Sequence, residues 1–246
     1  MEFDPIEQVS FEQQHLMRMA QRRTCAILAA DSREAYPSKM GTGTAVAHAG
    51  NIFVVSCSHV IGDMLSHGVG WMAFFTPLVQ VDRGECRVVF DDKVLDLAVL
   101  RIDRQAAQRL TELVPLLIDD LATEGHFEAV ELGARVAFTG LPGKLLSREG
   151  DSTVINATPF TLESVAVSKR GSNLWLDYQH CRRNGVVFDP SGSSGAMVYE
   201  LFSTAPSREI WRPGLGLAIM HHWDDQMEDL VCSSVHHLRQ AIAGSR

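Results

Sequence analysis

The segment Asp189-Pro190-Ser191-Gly192-Ser193-Ser194-Gly195-Ala196 sets a hydroxyl, Ser194, between two glycines that let the backbone turn tightly and approach a ligand closely. A serine on such a turn presents its hydroxyl while nearby N–H groups face the same space, a geometry suited to a tetrahedral oxyanion. Gly/Ser-rich turns are also common as plain loops, so this one needs partners elsewhere in the chain. A serine hydroxyl is a poor nucleophile without a base, and the base needs an acid to orient it. Two residues have the right types and context. His59 follows the apolar run Ile52-Phe53-Val54-Val55, and Asp96 stands at the mouth of Leu97-Ala98-Val99-Leu100. A core histidine and a turn aspartate are the plain alternatives. Burying an aspartate beside four aliphatic residues is costly unless something pairs with it, which favours a working role for Asp96.

Other chemistries find less support. A nucleophile elbow of the Gly-x-Ser-x-Gly type fails because residue 196 is alanine and an apolar strand follows Ser194. His221-His222, Asp224-Asp225 and His236-His237 suggest a metal, but adjacent residues on a strand point to opposite faces and the chain has no His-x-x-x-His pair. Neither a Gly-x-Gly-x-x-Gly nor a Walker sequence occurs, so nucleotide binding has no sequence support. No metal and no cofactor are expected.

The elements that must position these residues read as mostly β. Short apolar runs punctuated by Gly, Asp and Asn give candidate strands at 43–47, 52–55, 72–75, 86–90 and 98–102, and again at 135–138, 153–156, 174–178, 196–199 and 215–220. Ala49-Gly50-Asn51 joins the first two as a hairpin. Helices are expected at about 5–22, with Asp4 as cap and Pro5 at the first position, over 104–113, and from Val235 to Ala243, with Ser234 as cap. Many short strands without alternating helices indicate an all-β sandwich or barrel pair rather than a doubly wound sheet.

Composition narrows the function classes. The chain has 246 residues, is 46% apolar and carries a formal net charge of -8, so it can bury a sizeable core and lacks the basic balance of a phosphate-tracking nucleic-acid binder. No apolar stretch approaches a membrane span, and no secretory leader is expected at the acidic start. The five cysteines are odd in number and form no Cys-x-x-Cys pair, arguing against a disulfide framework or zinc ribbon. A cytoplasmic protein with reduced thiols, binding neither nucleic acid nor membrane, is expected.

Four blocks together resemble the signatures of trypsin-like serine peptidases, in particular their disulfide-free bacterial branch. They are Gly41-Thr42-Gly43-Thr44, Ser58-His59-Val60, Asp96-Leu97-Ala98-Val99-Leu100 and Gly192-Ser193-Ser194-Gly195, in the order His, Asp, Ser. Gly133 to Gly143 resembles the opening of that family's second barrel, and Gly214 to Ile219 the strand lining its cleft. The resemblance implies two six-stranded antiparallel β-barrels. The expected organisation is an N-terminal helical extension at 1–35, a first barrel at 36–112, a connection at 113–125, and a second barrel with the C-terminal helix at 126–246.

It also implies a serine endopeptidase working through an acyl-enzyme, with protein or peptide substrates. Ser194 would be the nucleophile, His59 the base and Asp96 the acid that orients it, with the backbone N–H groups of Gly192 and Ser194 as the oxyanion hole. Ile219, Met220 and His221 would line the substrate cleft. Phe188, six residues before Ser194, would floor the specificity pocket and favour small or medium apolar side chains, whereas a shift of one residue would put Asp189 there and favour basic ones. The sequence departs from secreted relatives at Val60, where they carry a disulfide cysteine, and at Ser193, where trypsins carry an aspartate that pairs with a newly cut N-terminus. Activation by N-terminal insertion is therefore not expected. Control by a regulatory partner or by self-association is expected instead, acting through the loop 141–151 or the N-terminal helix. A trypsin-like fold that binds a protein partner without cutting it is the rival reading.

Overall fold

A computed structural model describes residues 20–31, 37–75, 78–141, 160–178, 192–205, 208–224 and 229–245. The first half begins with β1 (Thr24–Ala30), β2 (Lys39–His48) and β3 (Asn51–Ser56), then a helix, α1 (Ser58–Ser66). It continues with β4 (Val69–Phe75), β5 (Leu78–Asp82), β6 (Cys86–Asp92) and β7 (Leu97–Ile102). These strands form a sheet in the order β5-β4-β1-β2-β3-β7-β6, and the two-residue β8 (Leu116–Leu117) adds in parallel to β2 as an eighth strand. Short helices α2 (Arg104–Ala107) and α3 (Glu124–Glu128) flank the connection between the halves. The second half holds β9 (Arg135–Gly140), β10 (Phe160–Arg170), β11 (Asn173–Asp177), β12 (Met197–Ala205), β13 (Arg208–Asp224) and β14 (Asp229–Ser234). These six close into a barrel, β10-β11-β14-β13-β12-β9, and α4 (His236–Gly244) follows.

The fold is mostly β, with one closed six-stranded barrel. The other half differs from the expected six-stranded barrel: it is an eight-stranded sheet among the described residues. One of its added strands, β1, gave no strand signal because all seven of its residues are buried, so the period-two alternation of a half-buried strand is missing. Helix α1 was also unforeseen. Gly62 lowers its intrinsic preference, and only Val60, Ile61 and Met64 mark its apolar face. The helix expected over 104–113 shrinks to α2, and Ser234, expected to cap the last helix, lies in β14 while Val235 takes the cap position. Of the expected N-terminal helix, only residues 20–22 are described: Ala20 and Gln21 are helical and Arg22 lies in a turn; the strand expected at 153–156 lies outside the described residues.

The expected hairpin is present. Ala49 and Gly50 take φ of 47° and 74° between β2 and β3, the paired positive values of a two-residue turn that matches strand twist. One large buried cluster joins both halves, with Phe53, Met72 and Leu100 on one side and Phe138, Leu176 and Leu217 on the other. Arg239 of α4 ties the connection down by donating to Leu121 O at 2.6 Å and to Asp119 Oδ1 at 2.8 Å. No helix among the described residues is long and apolar enough to cross a membrane.

Gly41 and Val60 meet where β2 passes beneath α1. A Cβ on Gly41 would stand 2.4 Å from Val60 Cγ1, and Val60 is itself buried. Substituting Gly41→Ala is therefore an overpacking change, expected to cost roughly 1–3 kcal/mol. Adding Val60→Ala opens the space that the new methyl needs, so the double variant should lose less stability than the two single losses combined. Urea denaturation of the three variants checks this, and additive losses would contradict the packing.

Candidate functional site

Asp96 and His59 are brought together by the first turn of α1. Cys57, at the N-cap, makes no side-chain cap bond, and the carboxylate of Asp96 fills that role from across the sheet. The His59 backbone N–H donates to Asp96 Oδ1 at 2.9 Å, and His59 Nδ1 pairs with Asp96 Oδ2 at 2.7 Å. A helix N-terminus carries unsatisfied N–H groups and a positive dipole end, so it is a favourable seat for a carboxylate. Ser58 Oγ bonds Asp91 Oδ1 and so fastens the same turn to the end of β6.

The backbone at Asp96 is bent to make this reach. Its φ of 51° is left-handed, an uncommon conformation for a residue with a side chain. The preceding turn holds it there: Asp92 Oδ1 accepts the N–H groups of Val94 and Leu95, and Leu95 O accepts Ser233 Oγ at 2.8 Å. Leu97, Ala98, Val99 and Leu100 follow immediately into the core. Burial works to raise the Asp96 carboxyl, but the two bonds from His59 outweigh it and hold the group below its ordinary value. The bond to Asp96 raises His59 above the ordinary imidazole value, against the opposing effect of partial burial. With Nδ1–H directed at a carboxylate, Nε2 is left as the ring's acceptor.

The serine turn is seated by backbone bonds. Gly192 and Gly195 take φ of 86° and 93°, values that favour glycine. Gly195 also lies where a Cβ would stand 1.9 Å from Thr42 O and 2.2 Å from Ser56 Oγ. The Ser194 carbonyl accepts the Thr42 N–H at 2.7 Å, the Ser193 carbonyl accepts the Ala196 N–H at 2.9 Å, and the Gly195 N–H donates to Met220 O at 2.8 Å. Among the described residues no acceptor takes the N–H of Gly192 or Ser194. The Ser194 hydroxyl donates to His221 O at 2.6 Å, not to the His59 ring.

Ile219 and Met220, expected to line the cleft, bury their side chains in the core, at 0% and 1% exposure. What this stretch of β13 offers the site is backbone. Met220 O accepts both the Gly195 N–H and the Cys57 thiol, the latter at 3.1 Å, so it joins the serine turn to the histidine turn. His221 faces inward and His222 outward, the alternation that argued against a metal-binding pair. Burial pushes the His221 imidazole down to about 4, so it is neutral at pH 7, and its Nε2 is buried without a hydrogen-bond partner. Phe188 and Asp189 lie outside the described residues.

Two participants were not singled out in the sequence. Cys57 was only one of five scattered cysteines, and Thr42 was one letter of a Gly-Thr-Gly-Thr block. A small polar residue fully buried in an apolar strand is the signal that could have flagged Thr42. Cys57, His59 and Asp96 are the described group close enough to share a metal ion, with ligand atoms within 4.8 Å of one another. Burial and the nearby carboxylate keep the Cys57 thiol protonated, so the arrangement offers a cation two ready ligands rather than three.

The comparisons with known proteins reach the fold. No family model and no curated protein matches the chain. Among solved structures it is similar to the serine endoprotease from Yersinia pestis, with a TM-score of 0.57 and 15% identity, over 94% of this chain and 68% of that one.

Proposed function

We propose that this chain is a serine endopeptidase with Ser194 as nucleophile, His59 as base and Asp96 as the group that orients it. The observation that carries the reading is the double engagement of Asp96 by His59, through ring and backbone, beside a serine turn that Met220 O links to the same helix start. In this mechanism the Ser194 hydroxyl turns from His221 O to His59 Nε2 and attacks the scissile carbonyl as its proton passes to the ring. His59 then delivers that proton to the leaving amine, and water repeats the cycle on the acyl-enzyme. Asp96 holds the tautomer and stabilises the imidazolium. The N–H groups of Gly192 and Ser194 receive the oxyanion. Regulation enters at the turn of the Ser194 hydroxyl, which a partner or a second copy would favour.

The resting bond from Ser194 to His221 O is also what a catalytically silent protein-binding module would retain. A serine-directed fluorophosphonate separates the two readings. The peptidase reading expects labelling that Ser194→Ala abolishes, and an unlabelled wild-type protein favours the binding module. For peptide turnover, Ser194→Ala or His59→Ala should each cost on the order of a millionfold, and Asp96→Ala roughly ten-thousandfold, because the three act as a unit.

The pH dependence follows from the base. His59 must be neutral to take the serine proton, and its bond to Asp96 raises its pKa. Labelling should therefore rise with pH through a midpoint above that of an ordinary histidine, and Asp96→Asn should move the midpoint down. A profile unmoved by Asp96→Asn would contradict the role given to the carboxylate. A small or medium apolar preference at the residue before the cut, implied by Phe188, is the specificity part of the proposal. A positional-scanning peptide library checks it: an Arg preference lost in Asp189→Ser would place Asp189 at the pocket floor instead.

A further inference from the structure

Thr42 is fully buried in β2 and bonds to the serine turn, to the end of β9 and to the end of β3. Its N–H donates to Ser194 O at 2.7 Å. Its hydroxyl donates to Gly192 O at 3.0 Å and accepts the Leu141 N–H at 3.0 Å. Its carbonyl accepts Ser56 Oγ at 2.6 Å. We propose that Thr42 is a positioning residue for the oxyanion site, its hydroxyl holding the Gly192–Ser193 peptide unit that lies between the two units whose N–H groups, of Gly192 and Ser194, face the reacting carbonyl. The proposal rests on the serine-peptidase reading and assigns a role that reading leaves empty.

Each peptide unit is planar, so a held carbonyl fixes the N–H of the next residue. Thr42 thus fixes the units carrying the Ser193 and Gly195 N–H groups, which adjoin the units carrying the Gly192 and Ser194 N–H groups. Three consecutive carbonyls of the turn are held: Gly192 O by the Thr42 hydroxyl, Ser193 O by Ala196 N–H, and Ser194 O by Thr42 N–H. Two of the three restraints come from Thr42. Gly192 needs one most, because a glycine at φ 86° has no side chain to resist rotation. The bond is also directional. Leu141 N–H occupies a lone pair of the hydroxyl oxygen and leaves its proton for Gly192 O. A serine would keep both bonds, and a valine of the same shape would keep neither.

The test measures the rate of fluorophosphonate labelling, because the tetrahedral adduct places an oxygen in the oxyanion site. Thr42→Val should label roughly a hundredfold to a thousandfold more slowly than wild type, the loss seen when one oxyanion donor is removed, and Thr42→Ser should recover most of that rate. On a cleaved peptide the Thr42→Val loss should fall in kcat with KM little changed, since the ground-state carbonyl makes less demand on the site. A merely structural role would not give that split or its rescue by serine. Thr42→Val labelling at the wild-type rate, or an equal loss in Thr42→Ser, would overturn the proposal. Wild-type protein that does not label at all would instead overturn the peptidase reading beneath it. Should Thr42→Val fail to fold, Thr42→Cys reads the same bond: its weaker thiol donor should give an intermediate rate, and a wild-type rate there would equally overturn the proposal.

Discussion

A carboxylate seated on the first turn of a helix organises the centre of this molecule. Asp96 takes the backbone N–H and the ring nitrogen of His59 together, so one side chain caps α1 and aims its histidine. Both bonds end on a residue in a left-handed bend, and that bend is held by Asp92 from behind and Ser233 from the barrel. The strain is local, but its support comes from both halves of the chain. An uncommon backbone conformation persists where the surroundings over-determine it, and here they do.

The serine turn depends on the same junction from the other side. Met220 O receives donors from Gly195 and Cys57, so the turn that presents Ser194 and the turn that presents His59 share one acceptor. The thiol of Cys57 is a structural donor there, fully buried and kept protonated. His221, neutral and inward, contributes its carbonyl to the resting serine.

What the sequence made legible was whatever announced itself by local chemistry. Asp96 was readable because a carboxylate next to four aliphatic residues demands a partner, and its partner is His59. The Ala49-Gly50 turn was readable because hairpin geometry restricts the residues that fit it. The eight-stranded sheet was not readable, because β1 is buried on both faces and β8 is only two residues long. Helix α1 was hidden by its glycine and by its position directly after a strand. The strand expected at 215–220 lies within β13, but its contribution was assigned to Ile219 and Met220, whose side chains turn into the core. Burial on both faces of that strand depends on a barrel closed by residues far apart in sequence, and no local pattern records that closure.

Nearly every bond that seats the serine turn ends on a main-chain atom: Met220 O, His221 O, Thr42 N and Ser193 O. Such atoms are the same whatever the side chain, so substitutions along β13 can accumulate without touching the joint, provided the strand itself is kept. Proline at residue 195 would remove a donor from the joint, since a proline carries no N–H. A site built this way tolerates wide divergence in sequence around a constant geometry, which is consistent with a shared fold at 15% identity.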